Sequence, residues 1–141
     1  MSDCIFCAIV AGTAPAQIID SDERTIAFLD INPATPGHTL VIPRRHHTDL
    51  LEIDDVDLAA CTSAARRLAL RIEDRLDAEG FNLINACRPV AWQTVFHFHI
   101  HLIPRYSDDA LKLPWVPRAG DPAEIARVAD LLGDPAAADG E

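Results

Sequence analysis

Basic side chains are scarce. Across 141 residues, 12 Lys and Arg stand against 22 Asp and Glu, a formal net charge of −10. That balance excludes a general nucleic-acid surface, which neutralises phosphates with a basic face. Any anion must be held at one local site. Long hydrophobic runs are missing too. The most apolar stretch, Val95 to Ile103, is broken by three histidines and falls far short of the roughly 20 residues of a membrane helix. The start, Met1-Ser2-Asp3-Cys4, has neither the basic region nor the apolar core of a signal peptide. A cytoplasmic protein with no membrane partner is expected. There is no internal repeat and no long linker. With 49% hydrophobic and 24% charged residues, the chain is too apolar to be disordered and is expected to bury a core. The expectation is one domain over residues 1–133, with a flexible tail at 134–141.

What is present is concentrated. All six histidines fall in two short segments, 38–47 and 97–101. Clustering of that kind in an acidic chain points to a site. Four cysteines could form two disulfides, but a reducing compartment disfavours them. Cys4 and Cys7 form a Cys-x-x-Cys pair, a metal-binding or redox-active pattern in that setting. Cys61 lies in a helical pattern and reads as a small core residue. Cys87 falls in a loop without a clear role.

Residues 16–20 and 24–31 read as short strands separated by Ser21-Asp22-Glu23. Two prolines and Gly37 make residues 32–37 a loop, and His38 to Pro43 is a β-branched strand. Val56, Ala59, Ala60, Ala64, Leu68, Ile72 and Leu76 recur at helical steps, so a long helix is predicted from about Asp55 to Glu79, with Gly80 as its stop. Phe81 to Asn85 and Thr94 to Ile103 are two further strands, and Pro122 to Leu132 is a short helix. Strands interrupted by one long helix predict an α+β fold on an antiparallel sheet.

The segment Val95-Phe96-His97-Phe98-His99-Ile100-His101 carries the most information. Strand side chains alternate, so the three imidazoles would share one face while Phe96, Phe98, Ile100 and Leu102 pack on the helix. Histidine is a poor core filler, and a row of them needs a function to explain it. At about 3.3 Å per residue, His97 and His101 are about 13 Å apart, too far for one ion to take all three. Two possibilities follow: an adjacent pair chelates a metal, or the row is divided between structural and chemical work.

His97-Phe98-His99-Ile100-His101-Leu102-Ile103 resembles the signature of the histidine triad (HIT) nucleotide hydrolases. Cys4 to Cys7, Ala27 to Ile31, Pro36 to Pro43 and Gln93 to Val95 follow the same family's order, so the resemblance covers about residues 4 to 106. It implies a HIT-like fold, a five-stranded antiparallel sheet with one long and one short helix. It also implies cleavage of nucleoside monophosphate derivatives at the α-phosphate through a nucleotidyl-histidine intermediate. His99 would be the nucleophile, His101 would contact the phosphate and His38 would orient or protonate. Asp30 matches the ribose-binding acid, Gln93 and Thr94 could donate to a bridging or leaving oxygen, and Phe28 and Ile31, with Phe6 and Ile9, could form a base pocket. Bacterial members of this kind imply a structural zinc, here on Cys4, Cys7, His46 and His97, and a homodimer that binds a purine nucleotide. His47 is left without a role.

The loop before the triad departs from the family pattern. Trp92 replaces a glycine, Ala86 falls where a phosphate-contacting Asn or Gln is usual, with Asn85 one residue earlier, and Arg88 could bring charge towards the phosphate. These departures raise a second reading, a purine-nucleotide binding or sensing module with little turnover. A third, a redox or zinc-structural protein, would rest on Cys-x-x-Cys alone.

Overall fold

A computed structural model describes residues 3–133 of the chain. Residues 1–110 form one compact unit, and residues 111–141 form a second, described as far as Gly133. The tail expected at 134–141 lies outside the described residues.

The first unit is built on five strands: β1 (Ile18–Ser21), β2 (Thr25–Leu29), β3 (Thr39–Pro43), β4 (Gly80–Ile84) and β5 (Ile100–Arg105). They pair antiparallel throughout in the order β1-β2-β3-β5-β4. The central β3 is buried along its whole length, which suits its run of Thr, Leu, Val, Ile and Pro. Alternation sends Val41, Ile100 and Leu102 to one face, where α2 (Asp55–Leu76) covers them with Cys61, Ala64, Leu68 and Ile72. Ile26, Phe28, Leu40 and Ile42 face the other way, onto Phe6 and Ile9 of α1 (Ile5–Val10). The second unit contains α3 (Pro122–Leu132), capped by Asp121, whose carboxylate accepts the Ala123 N–H.

Four departures from the sequence expectation have physical causes. First, α1 was not expected. Its six residues are too few for a helical period to register, and its cap is a cysteine: Cys4 Sγ accepts the Cys7 N–H at 3.3 Å. Second, α2 stops at Leu76. Asp77 adopts the left-handed conformation (φ 57°, ψ 35°), which Asp tolerates, and Ala78 then turns into the core. Gly80 therefore opens β4 opposite Arg105 instead of ending the helix. Third, the buried stripe of α2 starts at Asp57 and continues through Cys61, Ala64, Ala65, Leu68 and Ile72, while Val56 and Leu76 are exposed. Cys61 is a core residue, as its pattern suggested.

The fourth departure matters most for the site. The last strand does not begin at Thr94; residues 95–97 bend, and β5 starts only at Ile100. Phe98 gives its N–H to the His47 carbonyl at 2.7 Å, outside the sheet ladder. His97 and His99 therefore precede the strand, and the three imidazoles do not stand on one strand face. Phe98 joins the α2 core, but Phe96 is left exposed.

At Gly37, where φ is +91°, a Cβ would lie 2.8 Å from Leu76 Cδ1. The positive φ is what calls for glycine here, since the exposed Leu76 tip could move aside.

Candidate functional site

The first turn of α1, the loop after β3 and the bend before β5 converge on four donors. Cys7 Sγ is 3.3 Å from His46 Nδ1 and 3.5 Å from His97 Nδ1, and Cys4 Sγ is 3.4 Å from His97 Nδ1. All four donor atoms lie within 4.8 Å of one another. A tetrahedral zinc with two thiolates and two imidazoles sets sulfur–nitrogen edges of about 3.6 Å, so the cluster is able to hold a metal. His97, fully buried, points the right nitrogen at the sulfurs. Its Nε2 gives a hydrogen to the Pro43 carbonyl at 2.8 Å, so Nδ1 keeps its lone pair. Burial pushes the His97 imidazole down to about 4, against the pull of that carbonyl. Burial also raises the Cys7 thiol, as does the neighbouring Cys4.

Two residues on, His99 uses the opposite nitrogen. Its Nδ1 donates to the His97 carbonyl at 2.8 Å, which leaves the Nε2 lone pair unengaged. The ring sits edge-on to Phe6, with centroids 5.2 Å apart. Burial lowers its pKa, opposed by the His97 carbonyl and the Asp30 charge, so the imidazole is neutral at pH 7.

His101, on β5 between Leu40 and Ile84, ends a hydrogen-bond chain. The Ala34 N–H donates to His38 Nδ1 at 2.9 Å, so His38 carries its hydrogen on Nε2. That hydrogen goes to His101 Nδ1 at 2.9 Å, so His101 presents Nε2–H as a donor. Burial, then the adjacent His99 and His38, push His101 down to about 4, with Asp30 opposing. Burial likewise lowers His38, and Asp30 opposes it. Asp30 Oδ2 stands 3.5 Å from His38 Nε2, and its Oδ1 accepts the Asn32 N–H at 2.8 Å. The carboxylate thus caps the turn and faces the imidazoles at once.

His99, His101 and Asp30 form the polar end of a cleft of about 600 Å³, a size that suits a small organic ligand. Its apolar floor is Phe6, Ile9, Phe28 and Leu40. Thr94 lies on its wall, and Ile31 lines it from an exposed rim position. His38 stands behind His101, outside the lining.

One expected residue is corrected. Gln93 does not reach the cleft. It is buried, its Oε1 accepts the Arg88 N–H at 2.6 Å, and its Nε2 donates to the carbonyls of Thr48 and Val95 at 2.8 and 3.1 Å. Its amide is spent on holding backbone, so it cannot donate to a leaving oxygen from this position. Arg88 and Trp92 also stay out of the lining. Both have positive φ, 78° and 80°, and Trp92 is exposed. A tryptophan at a left-handed position costs about 1–2 kcal/mol, which the Gln93 bonds help offset.

Two residues beside the site make contacts that the sequence did not assign. Asn85 gives its Nδ2–H to the His99 carbonyl at 2.9 Å, while Ala86 is buried beside it. Asp57, 2% exposed, accepts from His47 Nε2 at 2.8 Å and from the guanidiniums of Arg45 and Arg24. Its signal was an acid on the apolar stripe of α2.

The sequence profile of the HIT domain matches residues 11–108. The crystal structure of SMU.412c from Streptococcus mutans UA159 superimposes with a TM-score of 0.88 at 39% identity, covering 94% of this chain and 84% of that one. A Zn-bound histidine triad family protein from Mycobacterium smegmatis gives 0.76 at 40% identity, with 89% of each chain covered. The histidine triad nucleotide-binding protein from Candida albicans gives 0.81 at 30%, covering 92% of this chain and 94% of that one.

The depressed imidazoles have a consequence for folding. In the unfolded chain His101 titrates near 6.5, and in the folded chain near 4, so between these values the unfolded state binds more protons. Stability therefore falls as pH drops from 6.5 towards 4. The lowered carboxyls of Asp20, Asp22 and Asp57 act in a separate window, below 3.8. Urea denaturation at pH 7.5, 6 and 5 should give steadily lower midpoints; midpoints that stay level or rise on acidification contradict the burial of neutral imidazoles.

Proposed function

The chain belongs to the HIT domain family, and from that premise we propose that it hydrolyses nucleoside monophosphate derivatives at the α-phosphate through a nucleotidyl-histidine intermediate on His99. The candidate substrates are phosphoramidates, adenylates and dinucleoside polyphosphates. One observation carries this reading: the His99 Nδ1–H bond to the His97 carbonyl, which leaves the Nε2 lone pair on the cleft wall. A neutral imidazole held this way attacks without a separate base.

In the first step Nε2 bonds to phosphorus while the bond to the leaving group breaks. The leaving group departs with the electron pair and takes a proton from water. The substituted imidazole now carries positive charge, which the His97 carbonyl and the Asp30 carboxylate favour. In the second step water attacks phosphorus, the phosphorus–nitrogen bond returns its pair to Nε2, and a proton passes to solvent. His101 Nε2–H donates to a phosphate oxygen, and His38 fixes the ring that does so. Phosphoryl transfer depends mainly on such positioning and charge stabilisation. Asp30 Oδ2 accepts from the ribose, Thr94 donates at the wall, and Phe28 with Ile31 flanks a purine base.

Cys4, Cys7, His46 and His97 would hold a zinc ion, whose closed four-ligand site supplies structure, not a reacting position. A homodimer is part of the same reading. It is supported by β4, an edge strand that exposes Leu83 and Ile84. Among the described residues no helix is long and apolar enough to cross a membrane.

A specific observation favours a second reading, a nucleotide-binding or sensing module with little turnover: the Gln93 amide is committed to backbone and is missing from the cleft.

Release of AMP from adenosine phosphoramidate and diadenosine polyphosphates separates the two. Hydrolysis predicts turnover by the wild type and a loss of about a thousandfold or more in His99→Ala, with AMP affinity kept within a few-fold. AMP binding without turnover favours the sensing module; full activity in His99→Ala contradicts the nucleophile. Metal analysis should find close to one zinc per chain, falling sharply in Cys7→Ser, and zinc-free wild type contradicts the four-ligand assignment.

A further inference from the structure

His47 is the one imidazole with no part in the donor cluster, the cleft or the His38–His101 chain, and Asp57 is the one acid on the buried stripe of α2. They meet at 2.8 Å. Their position in the fold gives the pair a purpose.

Residues 43–48 form the hub of the site. The Pro43 carbonyl accepts His97 Nε2–H at 2.8 Å. His46 Nδ1 stands 3.3 Å from Cys7 Sγ. The His47 carbonyl accepts the Phe98 N–H at 2.7 Å, between the two imidazoles that use opposite nitrogens. The Thr48 carbonyl accepts from Gln93 Nε2 at 2.8 Å. Four contacts around His97 and His99, one of them on the His97 ring itself, therefore end on one short run. Beyond Pro43 the strand ends: the Arg44 N–H still reaches the Arg24 carbonyl at 2.8 Å, and residues 45–47 then run outside the sheet. A loosely held run there would leave the imidazoles loosely aimed.

Asp57 closes that gap. Its Oδ2 accepts from His47 Nε2 and, at 3.1 Å, from Arg45 Nε, so it grips the run on either side of His46. The carboxylate sits in the first turn of α2, where its own N–H is held by the Asp54 cap at 2.7 Å. α2 packs along the sheet through Cys61, Ala64, Leu68 and Ile72, so the grip is anchored to the core of the unit. The remaining partner, Arg24 NH1 at 3.2 Å from Oδ1, lies off this path.

We propose that Asp57 is a positioning residue: through His47 it fixes residues 43–48 against α2, and through the His47 carbonyl and Phe98 it holds His97 and His99 in their working orientations. Its effect on turnover rests on the hydrolase reading above; its effect on Phe98 does not.

Amide hydrogen exchange and steady-state kinetics test this together on the full chain. Asp57→Asn removes the charge. His47→Phe keeps a ring but no donor, and serves if the first variant does not fold. His47→Gln keeps an N–H that can reach the carboxylate. Arg24→Gln removes the partner that lies off the path. The expected result is faster exchange at the Phe98 amide in Asp57→Asn and His47→Phe, with the Val41 amide unchanged. In the same variants kcat falls about 10–100-fold while KM stays within a few-fold, as for outer partners of functional histidines. His47→Gln recovers most of kcat. Arg24→Gln lowers the thermal midpoint yet leaves Phe98 exchange and kcat at wild-type values. Unchanged Phe98 exchange in both Asp57→Asn and His47→Phe overturns the proposal, as does an equal kcat loss in Arg24→Gln, which would mean that stability alone matters. If the wild type turns over no substrate, the hydrolase reading fails and Phe98 exchange alone decides this one.

Discussion

Two backbone carbonyls decide what the histidines can do. A carbonyl only accepts, so the ring nitrogen facing it must carry the hydrogen and the far nitrogen must keep its lone pair. The Pro43 carbonyl claims Nε2 of His97, and the His97 carbonyl claims Nδ1 of His99. Residues two apart therefore present opposite nitrogens to opposite sides, one towards sulfur and one towards the cleft. Each bond contributes only about 1 kcal/mol net to folding, but leaving a buried imidazole nitrogen unpaired costs more, so the choice of tautomer is strongly enforced. The same logic, started by the Ala34 N–H, runs through His38 to leave a donor on His101.

This division needs the bend before β5. On a continuous strand the three imidazoles would point one way, and a metal site and a cleft would compete for them. By leaving the ladder at residues 95–97 and tying Phe98 to His47, the chain turns His97 inward, keeps Phe98 in the α2 core, and returns to strand geometry in time for His101. The acidic exterior has little part in this. The nitrogens that would meet an anion come from neutral rings, buried at His99 and half-buried at His101, whose pKa values are lowered chiefly by loss of water.

The sequence made legible whatever repeats with a period. The strands around Phe28 and Val41, the long helix through Leu68 and the spacing of the three histidines all follow from alternation or helical steps. The resemblance of those blocks to HIT proteins then placed Cys4, Cys7, His46 and His97 together, and the geometry brings them within reach of one ion. What was not legible depends on single non-periodic bonds. α1 is too short to show a helical period, and a cysteine is an unusual cap. The stop at Asp77 is one residue in a left-handed conformation, easily hidden behind a nearby glycine. Gln93 sits next to the triad in sequence, yet its amide is consumed by three backbone groups that no pattern reveals. The contacts of Asp57 give no periodic signal, because its partners lie 10, 12 and 33 residues away.

The alternation of tautomers is the claim on which everything else stands, and ring nitrogen-15 NMR at pH 7.5 reads it directly. The account predicts a neutral His99 with hydrogen on Nδ1 and a lone pair on Nε2, and a His97 with hydrogen on Nε2. A His99 ring protonated on Nε2, or on both nitrogens at that pH, would contradict it.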